Sequence, residues 1–212
     1  MARYTGPKEK LERRVGQKLF LKGERSLSPK SSLVRKPYPP GLHGTRRSRK
    51  KSEYGAQLTS KQKIKYTYKL MEKHLRKYIE ISLRAKEESS GLLVKELETR
   101  LDNIIYRLGF APARDTAKQL VSHGHFSVND KLINFPSYQL KIGDTIKIRP
   151  GSINNKYFSN LGQSMKKQEP PAWLELDKEK MVGKLKSIPS IDEAGLSHRD
   201  IQSTIEFYSR KL

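Results

Sequence analysis

Cysteine is absent from the 212 residues, which excludes a disulfide framework and any thiolate metal site. Acidic side chains are scarce. Only 22 Asp and Glu face 44 Lys and Arg, giving a formal net charge of +22 and a pI of about 10.1. Long apolar runs are missing as well. No stretch approaches the roughly 18 apolar residues that read as a membrane span. The opening MARYTGPKEKLERR has no apolar core of a secretion signal, and the early Glu9 and Glu12 argue against an organellar transit peptide. The hydrophobic fraction, 34%, is low for a free-standing globular enzyme. Part of the chain is therefore expected to order on its partner.

Recognisable chemistry is also lacking. There is neither a Walker phosphate loop nor a G-x-G-x-x-G, and no nucleophile–base pair stands out. His123 and His125 form an H-x-H pair, but no further ligand lies near them in sequence. They read better as histidines after a helix C-terminus, placed to reach a phosphate or a carbonyl. Arg100 and Asp102 read as a structural ion pair, Asp115 as a charge in a first helical turn, and His43 and Asp144 as turn residues. The expectation is no enzyme, no metal and no cofactor.

What the chain has is charge in three separate stretches. Residues 1–43 form a basic, turn-rich arm whose prolines favour extended and turn conformations. One short helix is expected near Leu11–Leu19, with Tyr4, Leu19, Phe20, Leu21 and Tyr38 as apolar anchors. Residues 44–98 are expected to form a helical lobe. Its basic cluster is Arg46, Arg47, Arg49, Lys50 and Lys51. Helices over 58–88 are capped by Thr59 or Ser60, with Ile64, Tyr68, Met71, Leu75, Tyr78, Ile79 and Ser82 on one face and lysines over much of the rest. In LLVKELETRLDNIIYRL, residues 92–108, Leu93, Leu97, Leu101, Ile104, Ile105 and Leu108 keep helical spacing, and Gly109 follows as a stop. This predicts one continuous buried helix.

A second helix from Pro112 to Gly124 precedes two strands around Asn129–Asp130 and a third after Gly143–Asp144. Helix, helix and three strands make a small α+β module at 99–162. From Pro171 on, seven acidic and seven basic residues balance. The segment 163–212 is therefore expected to pack on the helical lobe or on a protein neighbour, away from a polyanion. The fold class expected is α+β: a helical lobe with an irregular basic arm and a small inserted αα-βββ module.

A net charge of this size points to a polyanionic partner. Arg114 and Lys118, four residues apart, are expected on the solvent face of the second helix, continued outward by His123, His125, Asn129 and Lys131. Tyr54, Tyr66, Tyr68 and Tyr78 alternate with lysines in a way that suits unstacked RNA bases. Folded RNA fits an irregular basic arm better than a regular duplex does. The expected RNA-facing set adds Arg3, Arg14, Lys22, Lys61, Lys65, Arg76 and Arg107. Two other classes stay open on the residues alone: an RNA-modifying enzyme using the module as a handle, which would need a further catalytic domain, and a basic protein bound to DNA or to a membrane surface.

The stretch RLDNIIYRLGFA, followed by QLVSHGHFSVNDKLINFPSYQLKIGD, resembles the RNA-binding module named after bacterial small-subunit ribosomal protein four. ARYTGPK, LFLKGERS, RKPYPPGLHG, PAWLELDKEKMVGK and IEFYSRKL extend the resemblance to that ribosomal family over essentially the whole chain. The resemblance implies a primary binder of a multi-helix junction in the 5′ domain of small-subunit rRNA, nucleating assembly. It implies small-subunit proteins three and five as neighbours, an influence on decoding accuracy, and repression of its own mRNA. The implied location is the cytoplasmic ribosome, or the plastid stroma for an organelle-encoded copy, with no membrane partner. Zinc-binding members of the family carry four cysteines where this chain has Glu9, Glu12, Ser26 and Ser31, so a zinc-independent arm is implied. Family members often have Ser or Thr near the start of the second helix and Asn-Gly in the hairpin. Here Ala113 and Asn129–Asp130 stand, and Asp130 puts a negative charge at the hairpin tip.

Overall fold

The structure is a computed structural model that describes residues 4–46, 50–85, 88–159, 161, 165 and 169–210. The fold is α+β. The chain divides into two compact units, one reaching to Leu93 and resuming at Gly195, the other Val94–Ala194.

In the first unit, α1 (Lys8–Val15) and α2 (Ser32–Arg35) pack together beside a 3-10 turn at Gly23–Ser26. Leu11, Leu19 and Leu21 make a small core with Val15 and Tyr66 against them. Arg13 is the clasp of the proline-rich stretch. Its Nε donates to the carbonyls of Lys36 at 3.1 Å and Tyr38 at 3.0 Å, and its guanidinium lies 4.9 Å from the centre of the Tyr38 ring. Of the expected anchors, Leu19 and Leu21 are buried, whereas Tyr4 and Phe20 face solvent.

Helix α3 (Glu53–Thr67) begins earlier than its spacing predicts. Ser52, not Thr59 or Ser60, is the cap: its Oγ accepts the Gly55 N–H at 3.2 Å. Helix α4 (Glu72–Arg84) buries the expected face, Leu75, Tyr78, Ile79 and Ser82. Met71, just before it, is exposed. Later in the chain α10 (His198–Ser209) packs on α3 and α4. Ser60 Oγ donates to Asp200 at 2.9 Å, Lys63 pairs with the same carboxylate, and Arg210 reaches Glu53 at 2.9 Å.

The expected long helix over 92–108 is two. Helix α5 (Ser89–Glu98) stops, Thr99–Arg100 run extended, and α6 (Leu101–Arg107) restarts. Tertiary hydrogen bonds impose the break. The Leu140 N–H donates to the Thr99 carbonyl at 2.9 Å, Arg100 bridges Gln139, and the carbonyls of Tyr138 and Pro136 accept the N–H groups of Leu101 and Asp102. The apolar stripe survives the break, with Leu93, Leu97, Leu101, Ile104, Ile105 and Leu108 all fully buried.

Helix α7 (Arg114–Ser122) packs on α6 and leads into β1 (Phe126–Val128), β2 (Lys131–Leu132) and β3 (Thr145–Ile148). Asn129 and Asp130 have φ of 48° and 63°, the two left-handed residues of a type I′ hairpin turn. Two short helical turns, α8 (Pro150–Ile153) and α9 (Lys156–Ser159), follow. The sheet then continues through β4 (Leu174–Asp177) and β5 (Val182–Leu185) in the antiparallel order β2-β1-β3-β5-β4. This corrects the expected course of 163–212. Only its last helix belongs to the helical unit, and residues 174–185 extend the module's sheet from three strands to five. The physical reason lies on β3, which would otherwise expose a row of unpaired backbone groups. VGKL meets it residue for residue, Ile146 opposite Gly183 and Lys147 opposite Val182.

Gly183 is required by a close approach. A Cβ there would stand 2.3 Å from Cδ1 of Leu108, which is itself wholly enclosed in the core. Gly183→Ala is expected to destabilise the protein by about 1–3 kcal/mol through overpacking. A urea melt with an unchanged midpoint would show that Leu108 can step aside.

Candidate nucleic-acid interface

The sheet of the second unit has one apolar and one polar face. Phe126, Val128, Ile146, Ile148, Leu174 and Leu185 point into the core with Trp173. Alternation places Lys147 and Lys184 on the other face, half-buried and exposed respectively. Neither lysine belongs to the set expected from sequence. The period-two patterns TIKI and VGKL are the signal that finds them.

At the hairpin tip, Asn129 is structural. Its Nδ2 donates to Asp144 at 2.7 Å and its Oδ1 accepts the Thr145 N–H at 2.9 Å, tying the first turn to the second. The negative charge of Asp130 is answered locally by Lys147 Nζ at 2.8 Å. The tip therefore carries a salt bridge, and exposed Lys131 beside it is the cation directed at solvent. His123 is exposed. His125 is half-buried, with Nδ1 3.0 Å from Ser152 Oγ and its ring edge-on to Phe158. Burial, then the neighbouring charges of His123 and Arg149, hold its pKa below the usual imidazole value.

Arg114 and Lys118 do not form the solvent-facing pair expected of them. Arg114 lies 4.4 Å over the Tyr106 ring and its Nε donates to Asn103 Oδ1 at 2.8 Å. Lys118 is half-buried. Desolvation lowers its pKa, opposed by the charge of Asp102. Helix α7 turns this face toward α6, so i,i+4 spacing placed the two cations together but on a packed side. Arg107 is corrected as well. Its Nε and Nη2 clamp Glu98 at 3.0 and 2.8 Å, and Nη2 also donates to the Ala194 carbonyl at 2.6 Å. The Arg100–Asp102 pair is structural, bidentate at 3.0 and 2.7 Å and nearly fully buried.

Within the first unit, burial again separates the expected cations. Lys61 is only 6% exposed. It pairs with Glu72 at 2.5 Å and lies over the Phe207 ring at 5.1 Å. Lys65 meets the same carboxylate at 2.8 Å, and the Tyr208 hydroxyl donates to it. Burial alone would raise the Glu72 pKa. The hydrogen bonds from Lys61, Lys65 and Tyr208 outweigh it and hold the value at about 2. Tyr68 is buried. These three residues serve the helical packing, so their expected contact with RNA is withdrawn. Tyr54 is exposed but leans on Phe207, with 5.5 Å between ring centres.

Arg14, Lys22, Arg46, Lys50, Lys51 and Arg76 remain at the surface, and Lys10, Lys18, Arg25, Lys30, Arg35 and Lys36 join them. Arg76 is shared with Glu80 at 2.8 Å and Arg25 with Glu9 at 3.1 Å. Arg3, Arg47 and Arg49 lie outside the described residues. The exposed cations of the arm were legible only as composition, because no periodicity marks which of them face outward.

Glu12 takes over what the arm lacks in crosslinks. It is fully buried, and its Oε1 accepts the N–H groups of Leu19 at 3.2 Å and Leu21 at 3.1 Å. Ser26 Oγ accepts the Lys22 N–H at 3.2 Å. Among the described residues no group of three or more His, Cys, Asp or Glu comes together, and no helix is long and apolar enough to cross a membrane.

Two family models match the chain in succession. Residues 3–98 match the Ribosomal protein S4/S9 N-terminal domain, and residues 99–146 match the S4 domain. Over 99% of its length the chain is 45% identical to the small ribosomal subunit protein uS4 of Kosmotoga olearia, the whole of which is covered. The proteins of the same name from Caldicellulosiruptor bescii and Thermotoga petrophila are each 43% identical, with the same coverage.

Proposed function

The chain belongs to the uS4 family of small-subunit ribosomal proteins, and from that premise we propose that it binds the multi-helix junction of the rRNA 5′ domain and nucleates assembly there. It is a structural constituent of the small ribosomal subunit and an rRNA-binding protein. The residues proposed to meet RNA are Arg14, Lys22, Arg46, Lys50, Lys51 and Arg76 in the first unit and, separately, His123, Lys131, Lys147 and Lys184 in the second. Arg3, Arg47 and Arg49 are included on charge alone. Small-subunit proteins three and five are its proposed neighbours. A contribution to decoding accuracy and repression of its own mRNA complete the proposal, with residence in the cytoplasmic ribosome and no catalytic step.

The observation that supports this reading best is the pairing of a full-length match with a cationic surface whose structural cations have been subtracted. The described lysines and arginines of that set are exposed, apart from half-buried Lys147, and phosphates are a fitting counter-charge for them even where, as at Arg76 and Lys147, a surface carboxylate shares the cation.

A competition assay tests it. Labelled small-subunit rRNA bound to the protein is challenged with unlabelled rRNA fragment, duplex DNA of equal length, and anionic vesicles. The expected outcome is displacement by the rRNA fragment at concentrations about 10³-fold below those needed of the others. Equal displacement by all three would reduce the protein to a non-specific polycation.

A further inference from the structure

We infer that Phe20 is a base-stacking residue, held out from the arm by a strained backbone so that an unpaired nucleobase lies on its ring while the neighbouring lysines meet the flanking phosphates. The inference rests on the RNA-binding reading above and deepens it.

Phe20 has φ of 55°, in the left-handed region that a bulky side chain rarely adopts. Such a conformation persists only where the surroundings over-determine it, and here they do. The N–H groups on both sides of Phe20, those of Leu19 and Leu21, converge on the single buried oxygen Oε1 of Glu12. The side chains of Leu19 and Leu21 are both drawn into the core with Leu11. With both neighbours pulled inward, the residue between them is pushed out. Glycine would take this backbone without strain, and a polar residue would suit the exposure. The chain instead has a phenylalanine, 42% exposed.

The surroundings select the ligand. Lys18 and Lys22 are exposed on either side. Between Lys10 and Arg46 there are ten Lys or Arg against two acidic residues, of which Glu12 is buried. A ligand that covers a flat apolar ring and also satisfies the exposed lysines two positions to either side of it is a nucleobase with its own phosphates. An apolar protein pocket would need a rim of carboxylates to do the same.

Full-length variants binding small-subunit rRNA at fixed salt decide the matter. Phe20→Gly should melt no earlier than wild type, because it releases the backbone strain, yet bind about 10-fold more weakly with an unchanged salt slope. Phe20→Leu should stay as weak as Phe20→Gly. Phe20→Trp should bind like wild type, and its fluorescence should be quenched by the RNA. The native Trp173 is fully buried and supplies a steady background. Wild-type affinity in Phe20→Gly would overturn the inference. So would rescue by Phe20→Leu together with an unquenched Phe20→Trp, which would assign the ring to an apolar protein pocket. Loss of preference for rRNA in the wild-type protein would instead sink the functional reading itself.

Discussion

Raising the salt from 50 to 200 mM is expected to weaken rRNA binding by about 10³–10⁵-fold, if about 6–10 phosphates are neutralised. The size of the effect follows from which cations remain accessible. The formal charge of +22 overstates what an RNA can use, because Arg13, Lys61, Lys63, Lys65, Arg100 and Arg107 are held by partners within the protein. Those left on the arm and around Arg46, Lys50 and Lys51 are exposed. Each phosphate contact releases condensed counterions, and the logarithm of affinity falls with the logarithm of salt by about 0.7–0.9 per contact. The triple change Arg46→Glu, Lys50→Glu and Lys51→Glu should therefore cut the slope by about 2–3. Because all three residues are exposed, the melting temperature should hardly move. Titrations at five salt concentrations check both statements. A flat wild-type slope would mean that the cationic surface does not meet phosphates.

The second large effect concerns stability. Glu98→Ala is expected to cost about 3–5 kcal/mol, the loss seen when one partner of a buried ion pair is removed. Glu98 is fully buried. Its carboxylate receives both Arg107 donors and the Asn103 amide at 2.7 Å, and Asn103 in turn accepts from Arg114. Deleting the carboxylate removes the counter-charge that clamps the Arg107 guanidinium, whose side chain is only 20% exposed and which keeps its bond to the Ala194 carbonyl, and loosens the Asn103–Arg114 link on which α6 and α7 meet. Glu98→Leu combined with Arg107→Met should recover much of the loss, since two apolar groups leave no unpaired charge behind. Urea denaturation of the single and double variants measures this. A cost below about 1 kcal/mol for Glu98→Ala would show that water replaces the carboxylate. The same network makes Arg107 a poor reporter of RNA contact, because its loss acts first on the fold.

Several features are legible in the sequence. The apolar spacing of 75–82 and 93–108 named the buried residues correctly, because a helix face is set by near neighbours in sequence. Asn129–Asp130 announced the hairpin, since those residue types tolerate the left-handed backbone that a type I′ turn needs. The break at Thr99–Arg100 was not legible. Its cause is the loop at 136–140, some forty residues away, which claims the backbone groups a continuous helix would use. Strands β4 and β5 were hidden for a similar reason. Their residues look neutral and amphipathic, and only the open edge of β3 made them strands of that sheet.

By itself, the sequence determined that this is a cysteine-free polycation with an α+β module and no recognisable catalytic motif, because charge and helical spacing are properties that each residue brings with it or shares with near neighbours. Tertiary structure decided which cations are available. Lys61 and Lys51 are the same residue type in the same basic helical region, yet one is buried against Glu72 and two aromatic rings of the C-terminal helix, and the other is exposed, its ammonium donating to the Thr59 hydroxyl at 3.2 Å. The energy of a charge depends on what surrounds it in space, and for Lys61 those surroundings come partly from residues nearly 150 positions further along the chain.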